Sequence, residues 1–318
     1  MHGGSLPGVT PTIAILGPGG VGGLLAGALA RTGKGADGAD VVVVARESTA
    51  ELITRDGVRV ESGLLGDFTA RPAAVARLAE PVDVLLVATK EAALAEALAR
   101  VDPSAAPALV VPLLNGFDHM ALLRERFGGR VAAGTIRVQA DRPEPGRVVH
   151  ASSFLIVELA SDEPALRPRL DALATTLNDA GVTARVREGE ARILWGKLVR
   201  LNALACLTAA YDVTFGAVRA DPHLWRELEE CVHEGVAVAR AEGAEIDPAV
   251  VFSEFEVIHD GFGTSMQRDL TAGREPELDA IAGAILRAGR RHDIPCPTIA
   301  ALAARIAERA GVATPVAG

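Results

Sequence analysis

The residue best suited to moving a proton is set apart by its rarity. Lysine occurs three times in the 318 residues, at positions 34, 90 and 197, and arginine supplies the other 29 of the 32 basic side chains. Arginine stays protonated at any working pH, whereas a lysine gives up its proton when its surroundings lower its pKa. Lys197 lies inside ILWGKLVRLNA, residues 193–203, an apolar stretch with helical periodicity. On a helix it shares a face with Ile193, Leu194, Leu201 and Leu204. Desolvation there would lower its pKa toward that of a proton donor near neutrality. The same pattern suits a lysine whose stem covers apolar surface while its ammonium stays in water.

A second constellation is built for phosphate. TIAILG (12–17) reads as a buried strand, GPGGVG (17–22) as a glycine turn, and LLAGALARTG as a helix. This is the context that a dinucleotide fingerprint needs, with Gly17 for the tight turn, Gly19 for backbone approach to a pyrophosphate and Gly22 for close helix packing. Amides of Gly20, Val21 and Gly22 would open the helix toward the phosphates. The next strand, VVVVAR (41–46), ends in Arg46 where an NAD site would carry an acid. Arginine suits a 2′-phosphate and so favours NADP; the alternative is a solvated Arg46 with Glu47 on the ribose. VDVLLVATK (82–90) reads as a further strand ending at Lys90, and ALVVPLLNG (108–116) as another ending at Asn115-Gly116. Strand ends of this kind face the ligand crevice of a doubly wound sheet. Asn115-Gly116 reads equally as a left-handed turn and as an amide aimed at nicotinamide or substrate.

Those residues need scaffolding from two kinds of architecture. Strands predicted within 131–159, with a Pro/Gly turn between them, and a helix over 164–181 complete a Rossmann-type α/β domain over 1–187. From 188 to 318 the strand-like runs give way to amphipathic helices, a second, all-helical domain. Within it, Thr264 and Gln267 form a capping-box pattern that makes Ser265 the first residue of a helix stopped at Gly273. Pro276 is placed at the first position of the next helix, with Glu277 in a first turn where it would complement the dipole. His292 near that helix's end has a similar dipole role.

Bulk composition excludes several classes. A net charge of −9 with only 3% aromatic residues disfavours nucleic-acid binding. The uncharged stretch Pro7–Ala30 is broken by Pro11 and Gly17-Pro18-Gly19-Gly20 and has no basic leader, which disfavours a membrane span or signal peptide. Three scattered cysteines (Cys206, Cys231, Cys296) and seven histidines form no ligand spacing, so no metal is expected, and a reducing, cytoplasmic setting is.

Taken together, GPGGVG, LLNG, LWGKL and SMQRDLTAGREPELDAIAG (265–283) resemble the ketopantoate reductase family over nearly the whole chain. The resemblance implies a Rossmann domain followed by a helical domain, with the active site in the cleft between them. It implies NADPH-dependent reduction of 2-dehydropantoate to pantoate, on the path to pantothenate and coenzyme A. By that resemblance Lys197 is the catalytic proton donor to the ketone, and Glu277 holds the substrate's hydroxyl end. Ser265 contacts its other polar groups, Asn115 and Lys90 lie near nicotinamide and substrate, and Arg46 takes the 2′-phosphate. A homodimer is compatible with it. Many family members carry asparagines four and eight residues after the lysine; here those positions are Leu201 and Ala205. Asn202 stands about 140° from Lys197 on the helical wheel. Alternative readings are a reductase of another branched or aryl 2-oxo acid, or a silent NADP-binding regulator; the intact Lys197, Ser265 and Glu277 set argues against the last.

Overall fold

The computed structural model describes residues 11–32 and 40–315. Gly33, where the first predicted helix ends, Lys34, and the Pro7 end of the uncharged stretch lie outside the described residues. The chain divides into two compact units, one of Met1–Leu114 with His119–Glu190, the other of Asn115–Asp118 with Ala191–Gly318. The short segment Asn115–Asp118 thus joins the helical unit although it follows a strand of the first.

The first unit runs β1 (Thr12–Leu16), α1 (Gly20–Arg31), β2 (Asp40–Val44), α2 (Glu47–Asp56), β3 (Val58–Ser62), β4 (Phe68–Ala70), β5 (Ala73–Val75) and β6 (Val84–Val87). It continues through α3 (Leu94–Leu98), β7 (Leu109–Pro112), α4 (His119–Phe127), β8 (Ala133–Arg137), β9 (Ala140–Glu144), β10 (Arg147–His150), β11 (Ile156–Ala160), α5 (Arg167–Asp179) and β12 (Thr183–Val186). Five parallel strands in the order β5-β2-β1-β6-β7 form the main sheet. Chain order reverses beside β1, so the carboxyl ends of β1 and β6 flank a topological switch point, where such sheets bind ligands. The centre explains the apolar runs: Ile13, Ala14, Ile15 and Leu16 are buried, as a strand covered on both faces requires. Two smaller sheets, β4-β3-β10-β9 and β12-β11-β8, complete the unit.

Strand ends differ from the sequence reading. β6 stops at Val87, and Lys90 is exposed just before a 3-10 turn at Glu91–Ala93 that leads into the short α3. β2 stops at Val44, leaving Arg46 to open α2.

The second unit contains α6 (Glu190–Tyr211, its first residue grouped with the first unit), α7 (Phe215–Ala220), α8 (Pro222–Ala241), α9 (Pro248–Glu256), α10 (Ser265–Thr271), α11 (Ala284–Arg291) and α12 (Pro297–Ala310). Asp-Pro pairs start α8 and α9: the Asp221 and Asp247 carboxylates accept first-turn amides, and the proline supplies a residue with no N–H to lose. The core gathers Trp195, Leu198, Phe215, Phe255, Ile281 and Ile299. By length and composition α6 is apolar enough to cross a membrane, but 72% of its apolar window is buried inside the protein. The helix predicted to start at Pro276 instead starts past Glu277, with a π-helical turn at Asp279–Gly283 leading into α11. Pro276 is therefore not its first residue, and Glu277 stands ahead of the helix.

Candidate active site

In the first unit, Gly17 leaves β1 with φ +93°, a left-handed conformation that favours glycine. A Cβ there would lie 2.7 Å from the Thr89 methyl, and Cβ atoms at Gly22 and Gly20 would overlap the carbonyl oxygens of Gly17 and Ala140. Gly19 caps α1 without a side-chain hydrogen bond, and no acid stands in the first turn. The amides of Gly20, Val21 and Gly22 therefore have no helical carbonyl to bond. Beside Gly17, the buried Thr89 hydroxyl has no partner. Free first-turn amides, absent acid and an orphaned hydroxyl fit the pyrophosphate of a dinucleotide.

Arg46 is exposed at the start of α2, its Nη2 3.2 Å from Glu96 Oε2. Glu96 also meets Arg100, and hydrogen bonds from Arg46 and then Arg100 hold its carboxyl below the usual range. Glu47 is likewise exposed, next to Arg46. Lys90 stands at the sheet's carboxyl edge.

In the second unit, α6 carries Lys197 half-buried, next to the buried Leu198 and Val199. Burial pushes its ammonium down to about 8 from 10.5, the Glu277 carboxylate opposes that shift, and the Arg200 guanidinium adds to it. Arg200 in turn pairs with Glu254 of α9 at 2.9 Å. Glu277 is half-buried and accepts a hydrogen bond from Asn115 Nδ2 at 3.0 Å. Gly116, at φ +75°, packs so tightly that a Cβ would overlap the Ala280 carbonyl. The turn reading of Asn115-Gly116 is the one seen: the glycine makes a left-handed turn, and the Asn115 amide is spent on the Glu277 carboxylate. Phe117 adds a ring contact to Trp195 at 4.8 Å.

Ser265 opens α10, exposed. The preceding Thr264 accepts the Gln267 amide at 3.4 Å and lies 3.0 Å from Thr208 Oγ1 of α6, which joins the start of α10 to the lysine helix. The reciprocal half of the predicted capping box is not made; the Gln267 amide donates to Asp212 instead.

Thus Asn115, Glu277 and Lys197 come together electrostatically in one unit, while the glycine turn, Arg46 and Lys90 belong to the other. The missing asparagines are not replaced by Asn202, which is fully buried and accepts the Cys206 thiol at 3.3 Å. Leu201 is half-buried and Ala205 buried. Thr208 escaped the sequence reading, since a threonine on an amphipathic helix carries no signal of its partner.

A doubly wound sheet with an open glycine turn, joined to a helical unit that desolvates a lysine beside a glutamate, defines a dinucleotide-dependent oxidoreductase. The family model described as Ketopantoate reductase PanE/ApbA matches residues 13–159, and its C-terminal counterpart matches 191–310. The chain belongs to the ketopantoate reductase family, whose members are nicotinamide-dependent oxidoreductases. It is 30% identical to the 2-dehydropantoate 2-reductase of Halobacterium salinarum, over 94% of this chain and 99% of that protein. It is also 30% identical to the Caulobacter vibrioides enzyme of the same name, over 92% and 97%. The structure of 2-dehydropantoate 2-reductase from Geobacter metallireducens superposes with a TM-score of 0.83 at 27% identity, covering 93% of this chain and 99% of that one.

Proposed function

We propose that the chain reduces 2-dehydropantoate to pantoate with NADPH, and that Lys197 donates the proton. The observation that carries this reading is the half-buried Lys197, with its pKa near 8, electrostatically coupled to a Glu277 that Asn115 holds in place. The names of the relatives support the substrate.

Bound NADPH supplies the hydride, and the chain's residues do the rest. The amides of Gly20, Val21 and Gly22 and the Thr89 hydroxyl hold the pyrophosphate, with Gly17, Gly19 and Gly22 keeping the turn open. Arg46 binds the 2′-phosphate in exchange for Glu96, which selects NADP over NAD. Glu277 accepts the substrate's hydroxyl, and Ser265 takes its other polar groups. Asn115 keeps one Glu277 oxygen occupied, and Lys90 and Asn115 border nicotinamide and ketone. As the carbonyl carbon gains the hydride, the oxygen takes a proton from the Lys197 ammonium, and the neutral amine is reprotonated from water. Arginine would stabilise the oxyanion without readily giving up a proton. Three free, buried cysteines support a reducing, cytoplasmic setting.

Leu201 and Ala205 favour a second reading, a reductase of a more apolar 2-oxo acid. They offer no hydrogen bond on the lysine helix where many family members carry amides. NADPH oxidation by the native chain against ketopantoate, 2-oxoisovalerate and aryl 2-oxo acids tests both. Ketopantoate as the best substrate supports the first reading, an apolar acid as the best supports the second, and NADPH binding without turnover on any of them removes both.

A further inference from the structure

Two stretches of chain present the Asn115–Glu277 pair, and one arginine holds both. Arg287 on α11 donates from Nη2 and Nε to Asp118 Oδ2 at 2.6 and 3.2 Å. Its Nη1 donates to Asp279 Oδ1 at 2.7 Å, and Nη2 also reaches the Asp279 carbonyl at 3.2 Å. Asp118 lies three residues after Asn115, and Asp279 two residues after Glu277. The guanidinium fork suits this task, because it serves two carboxylates in fixed directions, which a lysine ammonium does less well.

The surroundings are shaped around this bridge. A Cβ at Gly283 would lie 2.6 Å from Asp279 Oδ1 and 2.9 Å from Arg287 Nη1, so glycine leaves the room in which the ions meet. Asp279 to Gly283 is the π-helical turn, a wider winding often found at functional sites. The fit of Gly116 under the Ala280 carbonyl brings the other strand of chain against the same turn.

We propose that Arg287 is a positioning residue: by tying Asp118 to Asp279 it sets the Asn115 amide against the Glu277 carboxylate, and so fixes the carboxylate that receives the substrate. This rests on Glu277 binding substrate, as proposed above. The Arg287 side chain is about one-third exposed, so it serves geometry more than core stability.

The test uses the full-length Arg287→Met and Arg287→Lys chains, with hydrogen–deuterium exchange over 113–119 and steady-state kinetics. Arg287→Met is expected to speed amide exchange in 113–119 by roughly tenfold or more, with exchange in the rest of the first unit unchanged. KM for the 2-oxo acid is expected to rise roughly tenfold with kcat within about threefold, because ground-state and transition-state binding weaken together. Arg287→Lys should fall between, and it carries the same test should the methionine variant not fold. Adding Asn115→Ala to Arg287→Met should worsen KM far less than it does in the native chain, since both act on one carboxylate. Unchanged exchange over 113–119, a loss confined to kcat and thermal stability, or full additivity with Asn115→Ala overturns the proposal. A native chain inert to every 2-oxo acid would instead defeat the proposed function, and the exchange pattern would then decide the role of Arg287 by itself.

Discussion

Replacing Lys197 by methionine should make the protein more stable and nearly inactive. Unfolded, the lysine holds its proton up to about 10.5; folded, it releases it at about 8. Between those values the unfolded chain binds more protons, so stability rises with pH from about 8 to 10.5, and the full penalty is present below about 8. A depression of that size corresponds to a cost on the order of 3 kcal/mol at neutral pH. Methionine keeps most of the stem's packing without the charge, and the depression already includes the attraction to Glu277, so after imperfect repacking the net gain should be about 1–3 kcal/mol at pH 7. That gain should shrink toward zero by about pH 10.5, where the native lysine is neutral. At the same time kcat should fall by roughly a hundredfold or more, the scale of general acid catalysis. Urea midpoints of native and variant chains at several pH values, with kcat on the same preparations, provide the assay. A variant less stable than native at pH 7, or a gain that does not change with pH, would refute the desolvated-lysine reasoning.

Three further outcomes follow from the same geometry. Arg46→Ala should erode a native NADPH-over-NADH preference of at least about tenfold, or 1.4 kcal/mol, mainly through the KM for NADPH, as steady-state kinetics with both cofactors would show. Glu277→Gln removes the carboxylate that raises the Lys197 pKa, so the alkaline limb of the kcat profile should move to lower pH; KM for the 2-oxo acid should rise by about 1–3 kcal/mol of lost binding. Leu201→Asn should raise the ratio of catalytic efficiencies for ketopantoate over 2-oxoisovalerate, its analogue without the hydroxymethyl group; Ala205→Asn, at a buried position, should cost about 1–3 kcal/mol in stability from overpacking, seen as a lowered urea midpoint.

The parts of the fold that depend on local chemistry could be read in advance. β1 and its glycine turn are encoded within a dozen residues, and the Asp-Pro starts of α8 and α9 lie within single dipeptides. The strands in 68–75 are not legible in the sequence because β4 and β5 are three residues each, too short to show a period. Pro276 is a poor guide here because proline is welcome at a first helical position, yet the helix starts past Glu277, whose side chain bonds Asn115. The site followed the same division. The scarcity of lysine and its apolar surroundings pointed to Lys197, but its electrostatic neighbours Glu277 and Arg200 are set by folding. The bond from Asn115 to Glu277 spans 162 positions, and nothing in either local sequence announces it.

The role of Lys197 is tested most directly by the pH dependence of kcat, measured from pH 6 to 10 at saturating NADPH with the best 2-oxo acid of the panel. A protonated donor with a pKa of about 8 predicts a level rate below pH 7 and a fall of roughly tenfold per unit above pH 8, with no such limb in the residual rate of Lys197→Met. A rate that stays level to pH 10, or the same limb in the methionine variant, would contradict Lys197 as the proton donor.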